Sequence, residues 1–315
     1  MSLAIADVQA AARRIAPHAF VTPVLRSRSL DELAGCRIAL KCENFQRAGA
    51  FKFRGACNAV WALSAAEAAH GVVTHSSGNH GAALALAAKT RGIAAHVVVP
   101  DGAVAAKVNA IRAYGATLHV CAPTLAAREE TAARIAQDSG ATLVHPFTNE
   151  NVIAGQGTAA LELLREAGEL DALIAPIGGG GLIGGSAIAA KGVFPPIRIL
   201  AAEPEGAADA FESMRRGVRV TDVVPDTICD GLRATLGEIN FALLREHGVE
   251  VLPVSDAQTA AAMRLVFERM KIVIEPSSAV VLAAILRHRE RFAGRRVGAI
   301  LSGGNVDLDH LPWMA

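Results

Sequence analysis

A run of glycines is the strongest chemical signal in the sequence. Residues 177–186 read Ile-Gly-Gly-Gly-Gly-Leu-Ile-Gly-Gly-Ser, between an apolar stretch and an Ala-rich stretch. Glycines at the start of a helix let consecutive backbone N–H groups converge on an anion, and the helix dipole adds positive charge. The pattern therefore predicts a phosphate site. A turn that only packs a helix against a strand is the alternative, although consecutive glycines then cost chain entropy without a packing gain.

The same glycines also fit a dinucleotide-binding pattern. Gly179, Gly181 and Gly184 satisfy G-x-G-x-x-G. Glu203 follows a second apolar stretch, at about the twenty-residue distance where that pattern places an acid for ribose. On this pattern alone, an NAD-linked dehydrogenase remains an open alternative.

A lysine in an unusual setting suggests covalent chemistry on an amine. Lys52 lies between two phenylalanines at the start of a predicted helix, in Ala-Gly-Ala-Phe-Lys-Phe-Arg-Gly. Partial desolvation and the nearby cations Arg47 and Arg54 would lower the pKa of its amine, and a neutral amine attacks carbonyl groups. A solvated lysine on a helix face is the alternative for this segment taken alone.

Two turns that follow predicted strands could bind the rest of a small ligand. Residues 76–81 read Ser-Ser-Gly-Asn-His-Gly and precede a helix, which is typical of a carboxylate site at a helix N-terminus. Residues 301–305, Leu-Ser-Gly-Gly-Asn, follow the last strand, at the edge where open α/β sheets bind ligands. An ordinary helix cap and a simple turn are the respective alternatives.

The elements that must position these residues alternate between short aliphatic runs and Ala-rich stretches. This alternation predicts an α/β fold with mainly parallel sheets covered by helices on both faces. Residues 69–148 hold four of the strands and three helices, so we expect a small domain inserted in a large one formed by residues 1–68 and 149–315. The predicted strands are 37–42, 71–75, 94–99, 117–121, 142–145, 172–177, 198–202 and 297–301.

Helix ends are also marked. Ser64 with Glu67 and Ser255 with Gln258 fit capping boxes, which predict two helix starts. A helix over residues 104–114 should end at a glycine C-cap, Gly115.

Composition excludes several classes of protein. The 315 residues carry a net charge of +1, without a basic run, and only 4% are aromatic, so we expect no nucleic-acid partner. Five widely spaced cysteines fit neither a disulfide framework nor a zinc knuckle, and they favour a reducing compartment. The N-terminus lacks a signal-peptide core, and the uncharged run 172–190 is interrupted by Pro176 and glycines. We therefore expect a cytoplasmic protein with a small-molecule ligand and no membrane partner.

Several segments resemble, in order along nearly the whole chain, the pyridoxal-phosphate fold-type II family of serine/threonine dehydratases and serine racemases. They are KCENFQRAGAFKFRGA, SSGNHG, HPF, AGQGT, GGGGL, AEPE, RMKIVIEPSSA and LSGGNVD. The phrase AGAFKFRGA resembles most the branch of serine racemases and threo-3-hydroxyaspartate dehydratases. The resemblance implies two open, twisted, tryptophan synthase β-like domains with pyridoxal 5'-phosphate between them, and usually a homodimer.

The resemblance also implies roles for residues at the coenzyme. Lys52 matches the catalytic lysine that carries the coenzyme, Phe51 the ring packed against it, and Asn79 the partner of its phenolic oxygen. Ser302 matches the hydroxyl that faces the pyridine nitrogen; a neutral group there favours elimination over transamination. Glu275 could join this network or serve only as a carboxylate at a helix start. The residues that match the phosphate cradle are Gly178, Gly179, Gly180, Gly181 and Leu182.

Substrate-binding residues are implied in the same way. Ser77 matches the second acid/base of racemases, and Arg128 matches an arginine at the distal end of the substrate pocket, where a guanidinium could bind a β-carboxylate. An exposed arginine paired with local acids is the alternative for Arg128. The expected substrate-binding residues are Ser76, Ser77, Asn79, His80 and Arg128.

A metal site is implied by a third match. Glu203 and Asp209, with the carbonyl of Ala207, match the divalent-metal site of the racemase-like branch, and hard oxygen ligands suit Mg²⁺ or Ca²⁺. Solvated carboxylates are the alternative. The match also takes Glu203 away from the ribose role that the dinucleotide pattern gave it.

Together these observations predict a pyridoxal-phosphate ammonia-lyase. It would remove the β-hydroxyl of serine, threonine or 3-hydroxyaspartate and give a 2-keto acid and ammonia. A serine racemase with side dehydratase activity is the main alternative, and an NAD-dependent dehydrogenase is more remote. Ala82, where the family usually has glutamine, and Ala234, where mammalian-type racemases have serine, both count against the racemase.

Overall fold

The computed structural model of the protein describes residues 3–103 and 105–314, and within them two separate sheets of mainly parallel strands. The larger sheet has six strands in the order 1-2-10-7-8-9, and the smaller has four in the order 5-4-3-6. The predicted fold class is confirmed. The strands are β1 (Val24–Leu25), β2 (Arg37–Cys42), β3 (Val72–Thr74), β4 (Ala95–Pro100), β5 (Thr117–Cys121), β6 (Thr142–Leu143), β7 (Ala172–Pro176), β8 (Arg198–Pro204), β9 (Glu250–Val254) and β10 (Arg296–Leu301).

Helices separate these strands and cover both faces of the sheets. The first seven are α1 (Ile5–Ile15), α2 (Arg28–Ala34), α3 (Lys52–Ala62), α4 (Ala65–Ala69), α5 (Asn79–Arg91), α6 (Ala105–Ala113) and α7 (Leu125–Ser139). The others are α8 (Glu150–Ala167), α9 (Gly181–Val193), α10 (Asp209–Arg216), α11 (Glu238–Glu246), α12 (Asp256–Met270), α13 (Pro276–Arg287) and α14 (Arg289–Phe292).

All eight predicted strands are present, with ends that differ by up to two residues. The sequence analysis missed β1 and β9. β1 is only two residues long and pairs antiparallel with β2 at the sheet edge. β9 forms the opposite edge and contains Pro253, a residue that strands tolerate at edges and that obscured the apolar pattern.

Side chains alternate between the two faces of the larger sheet. On β2, Ile38 and Leu40 point into a core shared with α2, α12 and α13, whereas Ala39 points into a second core shared with α8 and α9. The near-continuous apolar runs in the sequence have this cause, because both faces of a parallel strand are covered. The four strands of the smaller sheet all come from residues 72–143, within the segment for which the sequence predicts an inserted domain.

The predicted helix ends form as expected. Ser64 and Ser255 each accept the N–H of the third residue of their helix, with N···O distances of 3.2 Å, and the return bonds of both capping boxes are present. Gly115 follows α6 with φ of +86°. Residue 104, the predicted first residue of that helix, lies outside the described residues. Within the described range, no helix is both long and apolar enough to cross a membrane.

Four loops follow the carboxyl ends of strands, two in each sheet. Residues 75–78, 144–149, 177–180 and 302–305 follow the carboxyl ends of β3, β6, β7 and β10, where parallel sheets bind ligands. These loops carry most of the candidate residues.

Candidate active site

Lys52 is the first residue of α3 and its amine points toward the loop after β6. Its Nζ donates a hydrogen bond to the carbonyl of Pro146 at 3.0 Å and lies 5.1 Å from the centre of the Phe51 ring. Burial lowers the pKa of the Lys52 amine to about 8, and the negative charge of Glu275 opposes that shift. A sizeable fraction of the amine is therefore neutral and nucleophilic near neutral pH.

The two neighbouring arginines do not cause this lowered pKa, and that part of the sequence-based expectation is wrong. Arg54 points away from Lys52 and binds Glu43 and Glu162. Arg47 donates to the carbonyl of His18 at 2.9 Å and lies over the Phe53 ring. Their charges are already balanced or directed elsewhere, so desolvation is the dominant cause.

A buried ion-pair network, here called the α3 anchor, holds the first turn of α3. It consists of Lys41, Glu43, Arg54 and Glu162, two basic and two acidic residues. Arg54 binds Glu43 through two hydrogen bonds of 2.7 and 2.8 Å, and Glu162 through two more of the same lengths. Lys41 binds Glu162 at 2.6 Å. Because Arg54 and Glu43 are fully buried, these charges are stable only while all partners are present.

The glycine loop begins directly after β7 and leads into α9. Gly180 has φ of +90° at the N-cap of that helix. A Cβ atom on Gly178 would lie 2.9 Å from the Cα of Leu232, and one on Gly179 would lie 2.4 Å from the ring of Phe147. These positions therefore require glycine. Among the described residues, no backbone carbonyl accepts the N–H groups of residues 178–182, so they can serve an anion.

The loop after β6 connects the lysine with the glycine loop. Its Pro146 carbonyl accepts the Lys52 amine, while the Phe147 ring covers Gly179. Asn240 fixes the two loops together, because its Nδ2 donates to the carbonyl of Phe147 at 2.8 Å and to that of Gly179 at 2.6 Å. The Lys52 amine and the anion site of the glycine loop thus lie on either side of Pro146 and Phe147.

The turn after β10 lies against the other side of Lys52. The N–H of Phe51 donates to the carbonyl of Ser302 at 2.9 Å, and Ser302 is buried. Asn79, the first residue of α5, donates from Nδ2 to both carboxylate oxygens of Glu275 at 3.0 and 3.1 Å. The Nδ2 group of Asn305 in turn donates to Oδ1 of Asn79 at 3.0 Å. The sequence analysis left the role of Glu275 open, and the structure brings its carboxylate into this network.

The residues expected at the substrate differ in their settings. Ser76 and Ser77 are half-buried in the turn before α5. His80 is buried, and its Nε2 lies 3.3 Å from the carbonyl of Val144, so its ring holds α5 against the loop after β6. Burial lowers the pKa of His80 well below its usual value, which makes it neutral. Arg128 is half-buried on α7. Burial lowers the pKa of His75, next to the turn, and the charge of Arg128 adds to that shift.

Glu203, near the end of β8, and Asp209, the first residue of α10, lie close enough for their charges to interact. Glu203 is fully buried and accepts the N–H groups of Ala210 and Phe211 at 2.9 and 2.8 Å, and Asp209 accepts the N–H of Leu236 at 2.7 Å. Burial raises the pKa of Glu203 to about 8, with the charge of Asp209 adding to the shift. Burial likewise raises the pKa of Asp209 to about 6. Two buried carboxylates that disfavour each other's charge are chemically suited to a hard cation.

A comparison with family models decides the class of protein. Residues 15–303 match the model described as "Pyridoxal-phosphate dependent enzyme". The chain belongs to this family. The residues present suit that coenzyme. The glycine loop offers N–H groups to a phosphate, the Lys52 amine lies across residues 146–147 from it, and the buried Ser302 lies next to Phe51. Glu203 points into the protein and is bonded to the main chain, so the dinucleotide interpretation has no support.

Individual relatives cover almost the whole chain. The chain is 48% identical over 307 residues to a beta-hydroxyaspartate dehydratase of Paracoccus denitrificans, covering 98% of each chain. It is 46% identical to an L-threo-3-hydroxyaspartate ammonia-lyase of Saccharomyces cerevisiae, covering 96% of this chain and 93% of the relative. It also matches the crystal structure of a serine racemase from Dictyostelium discoideum with a TM-score of 0.94 and 47% identity, covering 98% and 100% of the two chains. The resemblance predicted from the motifs is confirmed.

Proposed function

We propose that this enzyme removes the β-hydroxyl group of a β-hydroxy amino acid and yields a 2-keto acid and ammonia. The substrate that we propose as preferred is 3-hydroxyaspartate. The observation that carries this proposal is the Lys52 amine. Its pKa is lowered to about 8, and it lies across residues 146–147 from a glycine loop with free N–H groups. Pyridoxal 5'-phosphate, when bound, supplies an electron-withdrawing ring that accepts the electron pair left on the α-carbon.

Residues of this chain would bind the coenzyme and transfer the α-proton. The N–H groups of Gly178 to Leu182 hold the phosphate at the start of α9. Lys52 would hold the coenzyme through its amine and would act as a positioned base for the α-proton of the substrate. Phe51 would pack against the coenzyme ring, and the Asn79 amide would bind the phenolic oxygen of that ring. Ser302 is neutral and cannot fix a proton on the ring nitrogen as a carboxylate would, which favours rapid loss of the β-hydroxyl.

The substrate carboxylates are assigned to two places. Ser76 and Ser77 lie in the turn before α5, and Asn79 and His80 are its first two residues. The helix dipole favours the α-carboxylate of the substrate at this N-terminus. Arg128 is half-buried near this turn and its guanidinium can bind a β-carboxylate with two hydrogen bonds. The names of the Paracoccus and Saccharomyces relatives support 3-hydroxyaspartate over serine and threonine.

Serine racemisation is the second candidate. Ser77 is half-buried in the turn before α5, and a hydroxyl there could return a proton to the opposite face of the α-carbon. The similarity to the Dictyostelium serine racemase supports this alternative. Ala234, which offers no hydroxyl to the substrate, argues against it as the main activity.

We further propose that Glu203, Asp209 and the carbonyl of Ala207 bind Mg²⁺ or Ca²⁺. The support is the pair of buried carboxylates, whose pKa values are raised by burial. The positive charge of a cation between them would offset those shifts, because it favours the ionised carboxylates. The homodimer and the cytoplasmic location stay predictions from the sequence.

The decisive experiment measures products from a panel of substrates. The purified enzyme, loaded with pyridoxal 5'-phosphate, is incubated with L- and D-serine, L-threonine and the 3-hydroxyaspartates, with and without Mg²⁺, and keto acid, ammonia and chirality are followed. We expect keto acid from a 3-hydroxyaspartate at the highest kcat/KM. Lys52→Ala should abolish this activity, whereas Lys89→Ala, at an exposed lysine on α5, should retain it. Epimerisation of serine without keto acid would overturn the proposal.

A further inference from the structure

A second group of polar side chains lies next to the candidate active site and has no role in the reaction proposed above. We call it the His-Glu cluster: His75, Glu129 and His145. His75 follows β3 and precedes the turn of residues 76–78, His145 precedes Pro146, and Glu129 projects from α7. One nitrogen of each histidine and one oxygen of the glutamate all lie within 4.8 Å of one another.

His75 is prepared to act as a ligand. Its ring is buried, and its Nε2 atom has no hydrogen-bond partner in the described part of the chain. A neutral imidazole carries a lone pair on one of its two nitrogens, so the Nε2 atom of His75 can act as a metal ligand. Because buried polar atoms without partners are unfavourable, this nitrogen points to a missing ligand.

We propose that the His-Glu cluster is a binding site for one transition-metal dication of the Zn²⁺ type. Two imidazole nitrogens and one carboxylate oxygen form a donor set that such ions prefer, whereas Mg²⁺ prefers oxygen alone. Metal–ligand bonds of about 2.0–2.2 Å require the ligand atoms to approach one another to about 3.4 Å. Glu129 is exposed and can make this movement, while His75 stays in place.

Metal binding would also disturb the loop after β6. In the metal-free protein, Nδ1 of His145 accepts the N–H groups of Phe147 and Thr148 at 3.4 and 3.2 Å, so the ring proton sits on Nε2. A metal bound at Nε2 moves this proton to Nδ1, where it faces two other N–H donors. Residues 147–148 must then shift.

That shift would reach the phosphate site. The ring of Phe147 covers Gly179, and the adjacent Pro146 carbonyl accepts the Lys52 amine. The metal and the coenzyme are therefore coupled unfavourably, and by linkage each weakens the binding of the other. The His-Glu cluster thus acts as an inhibitory metal site.

A cobalt titration tests the site without any need for turnover. Co²⁺ is added to the coenzyme-loaded enzyme in excess Mg²⁺, which keeps the all-oxygen carboxylate site filled, and the visible absorption of Co²⁺ and its bleaching by Zn²⁺ are recorded. We expect one Co²⁺ per chain in the wild type. Glu129→Gln should weaken its binding by more than the roughly 10–100-fold that even an outer-shell change produces. The matched control is Glu130→Gln, at the exposed neighbouring position on α7, and it should bind as the wild type does.

Coenzyme affinity tests the coupling. In the wild type, Zn²⁺ should raise the dissociation constant of pyridoxal 5'-phosphate, and in Glu129→Gln it should not. Absence of Co²⁺ binding under Mg²⁺, or equal Co²⁺ affinity in Glu129→Gln and the wild type, would overturn the site. Unchanged coenzyme affinity in Zn²⁺-bound enzyme would overturn the inhibition.

Discussion

The contribution of the α3 anchor to stability can be tested by a single isosteric change. Glu43→Gln keeps the shape of a fully buried side chain but removes its charge. In the wild type, two basic and two acidic residues balance; in the variant, Arg54 and Lys41 face Glu162 alone. Breaking a buried ion pair from one side costs about 3–5 kcal/mol, because a charge is left without its partner.

The loss of stability in Glu43→Gln can be compared with the loss caused by breaking an exposed ion pair. About 3–5 kcal/mol is a large part of a total stability of about 5–15 kcal/mol, and at about 2 °C per kcal/mol the Tm should fall by about 6–10 °C. The control is Glu268→Gln, whose pair with Arg264 on α12 is exposed and should contribute little to stability because solvent screens it. Thermal and urea unfolding of both variants give the comparison.

A double substitution separates charge balance from simple damage to the core. Glu43→Gln with Arg54→Met leaves Lys41 paired with Glu162, so one acid and one base remain. The double variant should therefore lose less stability than the sum of the two single variants, by about 0.5–3 kcal/mol. Equal Tm values for Glu43→Gln and the surface control, or strictly additive losses, would refute the reasoning.

Three further predictions concern the coenzyme and the metal. Gly179→Ala should weaken coenzyme binding and its visible absorption, because the new Cβ would lie 2.4 Å from the Phe147 ring, whereas Gly184→Ala, with contacts no closer than 3.4 Å, should be tolerated. The rate at which the coenzyme-free protein takes up pyridoxal 5'-phosphate should rise with pH through about 8, where the Lys52 amine loses its proton; a rise only near pH 10.5 would contradict the lowered pKa. In the wild type, chelation should lower the Tm and Mg²⁺ should restore it, whereas Mg²⁺ should not raise the Tm of Glu203→Gln. A chelator without effect on the Tm of the wild type would contradict the metal proposal.

Patterns of adjacent residues predicted this protein well. The glycine loop, the two capping boxes and the alternating strands depend on local sequence, and the structure contains all of them. The cause of the low Lys52 pKa does not depend on local sequence. Arg54 is two residues away in the chain, yet its charge is balanced by Glu162 from α8, more than a hundred residues later.

The contacts of the Glu275 carboxylate and the Phe147 ring likewise could not be predicted from local sequence. Glu275, at the N-cap of α13, binds Asn79, and Phe147, in the loop after β6, contacts Gly179. Both pairs are far apart along the chain, so no local pattern predicts them. The motif resemblance indicates that these residues lie near the candidate site, but their contacts depend on the three-dimensional fold. The short strand β1 was missed for a related reason, because two residues are too few for a periodic pattern.

The α3 anchor also limits how this enzyme can be altered or copied. Its four charges come from β2, from the turn after β2, from α3 and from α8. A replacement at one position passes through a state with an unbalanced charge, so evolution and protein engineering must exchange these residues in concert. Grafting only the Phe-Lys-Phe-Arg segment into another scaffold would bring an arginine without its counterions. The reactive lysine amine would then lie on a helix whose first turn is not stabilised by an ion-pair network.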